Sequence, residues 1–181
     1  MEATRRRAGA ARRPVRHVTG MSGRRVRQTG AMSTETTTVR PIEARDAARW
    51  RELFTAYGVF YETRFSDEVL DGVWAWLMDA DHPLVCLVAE AEGELVGIAH
   101  LREQPDTFTA GPGWFLDDLY TVPEVRGSGA GTALLEAVAA HARAHGGGTV
   151  RWITAADNER AQRVYDRLAT RATWVTYEWE V

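Results

Sequence analysis

The sequence predicts a mixed α/β fold, because strand-like and helix-like patterns alternate along the chain and a glycine-rich turn joins one strand to a helix. The predicted order is β, α, α, β, β, β, α, β, α, β. We therefore expect one central, mostly antiparallel sheet flanked by about four helices, extending from about residue 37 to the C-terminus.

The first part of this pattern is a strand followed by two helices. Residues 37–42 predict the strand, and residues 43–57 have apolar side chains at helical spacing, with Gly58 expected to end the helix. Ser66 precedes two acids, which predicts the N-cap of a second helix ending before Pro83. The apolar face expected for this second helix consists of Val69, Val73, Trp76 and Leu77.

Three predicted strands follow. Residues 84–89 and 95–101 predict two strands joined by a hairpin turn at residues 92–94. A polar segment with Pro and Gly, residues 104–113, is expected to be a loop, and residues 114–121 predict the fourth strand.

The last part of the chain predicts two helices and two strands. The third helix is expected to end at the three glycines of residues 146–148, and residues 149–154 predict the fifth strand. An Asp-Asn-Glu cap at residues 157–159 begins a fourth helix that ends near Leu168. Residues 172–181 alternate and predict a final strand. One face of that strand would hold Val175, Tyr177, Trp179 and Val181.

Composition is typical of one globular domain. The chain has 181 residues, of which 45% are hydrophobic. Its single cysteine, Cys86, lies in an apolar run, where we expect a buried, unreactive thiol. No run approaches the ~18 apolar residues of a membrane helix, so we expect a cytoplasmic protein without a membrane contact. The histidines show no metal-ligand spacing, and we expect no metal.

Charge is divided unevenly along the chain. Residues 1–31 contain nine arginines and one glutamate, whereas residues 32–181 have a net charge of −11. Met32 opens a segment that looks like a natural start, so we expect residues 1–36 to be a disordered, Arg-rich extension and residues 37–181 to be the folded domain. A basic arm for nucleic acid and an Arg-rich transit peptide are the alternatives, and we favour the disordered extension over both.

The most informative motif is the glycine-rich turn from Arg126 to Gly131. Strand, glycine turn and helix is a layout that binds phosphate through backbone N–H groups and the helix dipole. A Walker-type loop needs a lysine, and this chain has none; a dinucleotide fingerprint needs a third glycine where Thr132 stands. What remains, Arg-x-x-Gly-x-Gly, resembles the pyrophosphate loop of the GNAT (Gcn5-related) N-acetyltransferases.

This resemblance implies a site for acetyl-CoA. In the family, strand four splays from strand five, and its freed backbone groups pair with the pantetheine arm; here that strand segment is Leu119, Tyr120 and Thr121. The loop would cradle the pyrophosphate, with Arg126 either adding charge or bracing the loop. Its residues are Arg126, Gly127, Ser128, Gly129, Ala130, Gly131 and Thr132.

A second segment, Asn158 to Tyr165, is similar to the Asn-x-x-Ala-x-x-x-Tyr pattern of the family. Asn158 would cap the fourth helix or hydrogen-bond the cofactor arm. Tyr165 lies two helical turns further on, and the resemblance implies that its hydroxyl donates a proton to the departing thiolate.

A third segment contains two adjacent acids, Asp117 and Asp118, within an otherwise apolar strand. Buried carboxylates are costly, so we expect a role in the site. In the family, carboxylates on this strand bind the substrate amine or accept its proton through water. A strand alternates its side chains, so one of the two acids faces the site unless a bulge intervenes, and we rank Asp117 first.

These residues together imply direct acetyl transfer to a primary amine. An amine like that of lysine has a pKa of about 10.4, so removing its proton at pH 7 costs about 4–5 kcal/mol, which a carboxylate and a water relay would assist. The segments around Asp117 and Tyr165 are similar to the family branch named for histone and polyamine acetylation, which also includes amino-acid acetylators.

The resemblance also bears on the acceptor pocket and on the oligomeric state. The family places a wall of the acceptor pocket between helices one and two, where Tyr57, Phe60, Tyr61 and Glu62 lie. The alternatives to a small-molecule amine are a protein acceptor and a non-catalytic acetyl-CoA-binding regulator. We expect a homodimer, because the family often dimerises through its C-terminal strand.

Overall fold

A computed structural model of the protein describes residues 37–181, and the expectations about residues 1–36 and a start at Met32 lie outside this range. Nine elements form the domain, together with two short 3-10 turns at Ala44–Asp46 and Pro123–Val125. The strands are β1 (Thr38–Pro41), β2 (Leu84–Ala91), β3 (Glu94–Asp106), β4 (Gly111–Thr121) and β5 (Val150–Arg151). The helices are α1 (Ala47–Phe60), α2 (Asp67–Met78), α3 (Ala130–Ala144) and α4 (Glu159–Leu168).

The five strands form one sheet in the order β1-β2-β3-β4-β5. The first three pairs are antiparallel and the β4–β5 pair is parallel, which confirms the predicted mixed, mostly antiparallel sheet. β5 pairs with β4 only at Trp114↔Val150 and Phe115↔Arg151. Beyond Phe115, the two strands diverge, so an open wedge separates the C-terminal half of β4 from the chain that follows β5.

Helices cover both faces of the sheet, because each face presents apolar side chains that must leave water. On one face, Leu134 and Val138 of α3 pack in a core with Leu101 of β3. On the other, Trp50 of α1 packs in a second core with Ile98 of β3.

A β-bulge interrupts the pairing of β3 with β4. His100 lies opposite Asp118 and Leu101 lies opposite Leu116, so Asp117 has no partner in the ladder. The extra residue shifts the side-chain alternation of β4. As a result, Leu116 packs in the α3-side core, whereas Tyr120, four residues on, packs in the α1-side core.

Helix capping was predicted better than helix packing. Ser66 accepts a hydrogen bond from the Val69 N–H (3.4 Å), as expected of an N-cap. Gly58, however, does not end α1. It lies buried within the helix, where a Cβ would approach the Phe65 ring to 2.8 Å, so this glycine permits close packing rather than termination.

The apolar face predicted for α2 is only partly correct. Val73 and Leu77 pack against the core, but Val69 and Trp76 are about half exposed, and Leu70 is the buried residue. The buried face of α2 is therefore rotated from the predicted one, because Leu70 packs against α1 and the sheet.

Strand ends also differ from the sequence prediction. The segment predicted as a loop, residues 104–113, is mostly β-ladder, since Gln104 pairs with Gly113 and Asp106 with Gly111. Backbone hydrogen bonds extend the hairpin past the point where its apolar pattern stops. By contrast, β5 (Val150–Arg151) is shorter than the strand predicted at residues 149–154.

The final predicted strand, residues 172–181, is not present. This segment has no regular secondary structure and no ladder partner among the described residues. Trp174, Tyr177 and Trp179 are 88%, 90% and 87% exposed. An alternating pattern predicts that one face of a strand is buried. The strand itself forms only where its backbone hydrogen-bonds to a neighbouring strand.

Candidate active site

The glycine-rich turn begins α3 in a conformation that only glycine adopts easily. Gly127 has φ of +98° and Gly129, the N-cap of α3, has φ of +103°. A Cβ on either would extend into open space, with nothing within 4 Å. The backbone here can therefore be approached closely by a ligand, next to the first N–H groups of the helix, which lack intrahelical partners.

Arg126 braces this turn. Its Nε donates a hydrogen bond to the Thr121 carbonyl (3.3 Å). Its guanidinium also lies over two aromatic rings, 5.7 Å from the Phe60 centroid and 5.8 Å from the Tyr120 centroid. Of the two roles considered for Arg126, these contacts support the structural one, which ties the turn to β4 and to the end of α1.

Leu119, Tyr120 and Thr121 lie on the side of the wedge opposite the divergent β5. They pair with β3 on one edge, and no described residue pairs with them on the other. Ser128, Ala130, Gly131 and Thr132 continue the wall at the start of α3, with Ala130 buried and Ser128 exposed. The predicted cofactor residues from Leu119 to Thr132 thus lie on the end of β4 and the start of α3.

Asn158 begins α4 as a capping residue. Its Oδ1 accepts a hydrogen bond from the Ala161 N–H (3.2 Å), which satisfies one of the free donors of the first turn. Gln162 adds a second anchor, donating to the carbonyls of Ala155 and Ala156 at 3.1 and 2.9 Å. The cap and this anchor fix the start of the helix that holds Tyr165.

Tyr165 is half-buried on α4, and its ring meets Trp152 edge to face with centroids 5.4 Å apart. Burial, and secondarily the nearby Tyr61, raises the pKa of the Tyr165 hydroxyl to about 12. The hydroxyl therefore keeps its proton through the neutral range, as a proton donor must.

The end of α1 brings two further tyrosines to the same place. The rings of Tyr57 and Tyr61 meet edge to face, with centroids 5.0 Å apart. The pKa of Tyr57 is raised above its usual range, first by burial and then by the Asp118 carboxylate. Tyr57, Tyr61, Tyr165 and Asp118, which we call the tyrosine–aspartate cluster, thus come from three separate elements.

The two acids of β4 have different surroundings. Asp118 belongs to the cluster, and its Oδ2 lies 2.8 Å from Nδ1 of His100. Asp117, the bulge residue, forms an ion pair with Arg102, whose Nε is 3.1 and 3.0 Å from the two carboxylate oxygens. The structure therefore places Asp118, rather than the first-ranked Asp117, beside Tyr57.

His100 and its second partner Trp50 were missed by the sequence reasoning, which examined histidines only for metal spacing. The Trp50 indole N–H donates to Nε2 of His100 (2.9 Å), so the imidazole is bonded on both sides. A lone histidine in the apolar strand 95–101 was the available sign, since a buried imidazole needs partners.

Three further observations limit the chemistry of the described residues. The pKa of the Cys86 thiol is raised by complete burial, so it is a poor nucleophile. Within residues 37–181, no three His, Cys, Asp or Glu side chains lie close enough to hold a metal ion. No helix in this range is both long and apolar enough to cross a membrane.

Two parallel strands that separate beside a glycine turn and a helix N-terminus are an arrangement suited to proteins that bind a phosphate-bearing co-substrate. The sequence profile of the acetyltransferase (GNAT) family matches residues 48–169. The chain therefore belongs to the GNAT family, and it is an acyl-CoA-dependent N-acetyltransferase.

Two relatives indicate the range of acceptors in this part of the family. The chain is 30% identical to D-amino-acid N-acetyltransferase HPA3 of Saccharomyces cerevisiae over 142 residues, covering 77% of this chain and 88% of the yeast protein. It is 36% identical to aminoglycoside N(6')-acetyltransferase type 1 of Stenotrophomonas maltophilia over 109 residues, covering 59% of this chain and 67% of that protein. These names do not support the histone and polyamine branch suggested by the motifs.

Solved structures agree on the fold. Aminoglycoside N-acetyltransferase AAC(6')-Iy in complex with CoA matches with a TM-score of 0.71 at 19% identity, covering 83% of this chain and 98% of that one. Ribosomal-protein-alanine N-acetyltransferase from Brucella melitensis matches with a TM-score of 0.68 at 20% identity, covering 81% and 99%.

Proposed function

We propose that this enzyme transfers an acetyl group from acetyl-CoA directly to a primary amine of a small molecule. The main supporting observations are that the GNAT profile matches residues 48–169 and that Asp118 and Tyr165 both lie near Tyr57 at the end of α1. Amino acids, aminoglycosides and polyamines are the acceptor classes in question. The yeast relative favours an amino acid, because it covers most of both chains.

The residues of the wedge fit acetyl-CoA, which would supply the acetyl thioester. The open space before Gly127 and Gly129 admits a pyrophosphate to the backbone N–H groups at the start of α3. The unpaired edge at Leu119–Thr121 offers backbone groups to a pantetheine arm. Asn158 caps the start of α4, where it would hydrogen-bond that arm.

Asp118 is proposed to serve the acceptor. A carboxylate attracts a cationic amine and accepts its proton, directly or through one water, and so offsets part of the ~4–5 kcal/mol that deprotonation costs at pH 7. Asp117 is less suited to this role, because its two oxygens already bind Arg102.

Tyr165 is proposed to donate its proton to the departing thiolate. Its raised pKa keeps the hydroxyl protonated at neutral pH, and its position on α4 is fixed by the Asn158 cap and by Trp152. The transfer then needs no covalent bond to the enzyme.

The experiment is a thiol-release assay with acetyl-CoA and a panel of D- and L-amino acids, aminoglycosides, polyamines and peptides. We expect turnover with at least one small amine and a kcat/KM for it above that for peptides. A preference for peptides would instead make this a protein N-acetyltransferase. Acetyl-CoA binding without turnover on any amine would favour a non-catalytic regulator.

We also propose that the enzyme is a cytoplasmic homodimer in which residues 172–181 cover a second copy. This segment exposes three large aromatics, and such a patch is unusual on a monomer surface. A groove of about 310 Å³ lies beside β5 and is lined mainly by apolar side chains, including Leu135, Val138, Val150 and Trp152. The groove and the segment are chemically complementary.

A further inference from the structure

The buried imidazole of His100 lies in a chain of hydrogen bonds that ends on the proposed acceptor carboxylate. His100 is 1% exposed, on β3 at the bulge. Trp50, on α1, contacts one ring nitrogen, and Asp118, on β4, contacts the other. The mechanism above uses neither Trp50 nor His100.

The identity of the partners assigns the tautomer of this imidazole. An indole N–H only donates, so Nε2 of His100 must be the acceptor and hold a lone pair. The ring proton then lies on Nδ1, which donates to Oδ2 of Asp118 over 2.8 Å. Both hydrogen bonds are therefore directed toward the carboxylate, and each polarises the next.

Trp50 itself is held firmly in place. Its ring stacks on Phe54 with centroids 5.4 Å apart and tilts against Trp74 at 5.1 Å. It is 1% exposed, in the core beneath α1. The indole N–H is thus a fixed donor that keeps His100 in one tautomer and one orientation.

We infer that His100 is a positioning residue, locked by Trp50, which holds Oδ2 of Asp118 and so orients this carboxylate, beside Tyr57, toward the acceptor amine or its relay water. This inference rests on the proposed function of Asp118. Because Nε2 is occupied by the indole proton, His100 does not itself take the proton of the amine. It acts through the orientation of Asp118.

Two variants in a shared background test this role. Trp50→Phe removes the indole donor and keeps an aromatic ring, so no buried N–H is left without an acceptor. In that background, His100→Asn keeps an N–H near the position of Nδ1, whereas His100→Leu has a similar size and no donor. The pair therefore differs mainly in the hydrogen bond to Asp118.

We expect His100→Asn to retain the kcat/KM for the amine measured for Trp50→Phe alone, within a few-fold, and His100→Leu to lose about 100-fold. The KM for acetyl-CoA should be the same in both. Equal kcat/KM values for the Asn and Leu variants, with both folded by circular dichroism, would overturn the inference.

A double-mutant cycle separates positioning from general structure. If His100 acts through Asp118, His100→Leu should cost little further activity once Asp118→Asn is present. Additive losses would show that the imidazole supports the fold rather than the carboxylate.

The tautomer can be measured without any turnover. In ¹⁵N-labelled wild-type enzyme, the long-range ¹H–¹⁵N spectrum should show Nδ1 of His100 protonated and Nε2 unprotonated; the reverse pattern would contradict the inference. If wild-type enzyme acetylates no amine, the proposed function fails, and this spectrum still decides the hydrogen-bond geometry.

Discussion

At the scale of single residues, the bulge in β4 gives two adjacent acids different surroundings. Asp117 and Asp118 have the same chemistry, but one pairs with Arg102 and the other joins Tyr57 and His100. Their different surroundings make the pair a matched test, since the same substitution can be made one residue apart.

We expect Asp118→Asn to lower kcat/KM for the amine by about 100-fold or more, because a positioned acid–base group typically contributes 10²–10⁴-fold. Asp117→Asn should change it little, because it removes only a partly exposed ion pair worth about 0.2–1 kcal/mol. Steady-state thiol release measures both variants. A larger loss for Asp117→Asn would reverse the assignment.

Tyr165→Phe should lower kcat by about 100-fold or more and leave the KM for acetyl-CoA nearly unchanged, because it removes only the proposed proton donor. The ring contact with Trp152 is retained. Trp152→Phe is the control for packing around the ring. Unchanged turnover of Tyr165→Phe would contradict the role of the hydroxyl.

The sequence predicted Tyr165 and the two acids as candidate site residues, but it did not predict the contacts that each of them makes. Tyr165 follows from its spacing to Asn158, and this spacing survives in the structure because a capped helix is a local feature. The choice between Asp117 and Asp118 depends on one extra residue in a ladder, and the bond from Trp50 to His100 joins residues fifty positions apart. Neither can be obtained from local patterns.

At the scale of elements, the clearest local feature is the turn before α3. Gly127 and Gly129 both have positive φ, and the sequence predicts that this turn binds phosphate. The starts of the helices were predicted well, because a cap depends on nearby residues. The ends of β3, β4 and β5 were predicted less well, because the length of a strand depends on the strand that pairs with it.

Gly129→Ala should raise the KM for acetyl-CoA, because a methyl group would occupy the open space in front of the turn and left-handed backbone costs alanine about 1–2 kcal/mol. Gly72→Ala is the control. It lies within α2 with nothing within 4 Å of a Cβ, so it should stabilise the protein by about 0.5–1 kcal/mol and leave the KM unchanged. Thermal unfolding and acetyl-CoA titration measure the two effects; an unaltered KM for Gly129→Ala would remove the turn from the site.

At the scale of the whole molecule, the last ten residues are the main difference between the predicted and the observed fold. Their alternation predicts a strand, but they pair with no other strand among residues 37–181. In the proposed dimer, a second copy would cover these residues and bury the exposed aromatics.

Replacing Trp174, Tyr177 and Trp179 by serine should therefore convert a dimer into a monomer, measured by sedimentation at micromolar concentration. Phe108→Ser is the control, since Phe108 is 98% exposed on the β3–β4 hairpin and belongs to no proposed interface. A wild-type enzyme that is monomeric at this concentration would contradict the dimer.

The two-residue ladder between β4 and β5 also has a consequence for local stability. Residues 150–168 are attached to the sheet through few strand hydrogen bonds, so their amides should exchange with solvent through local opening well before the amides of β2 and β3 do. A ligand in the wedge contacts both sides of that opening. We expect acetyl-CoA at 100 times its Kd to add about 2.7 kcal/mol of stability and to slow hydrogen exchange mainly in residues 150–168. Uniform slowing across the sheet would contradict this expectation. The expected pattern would mean that bound acetyl-CoA stabilises residues 150–168 against local opening.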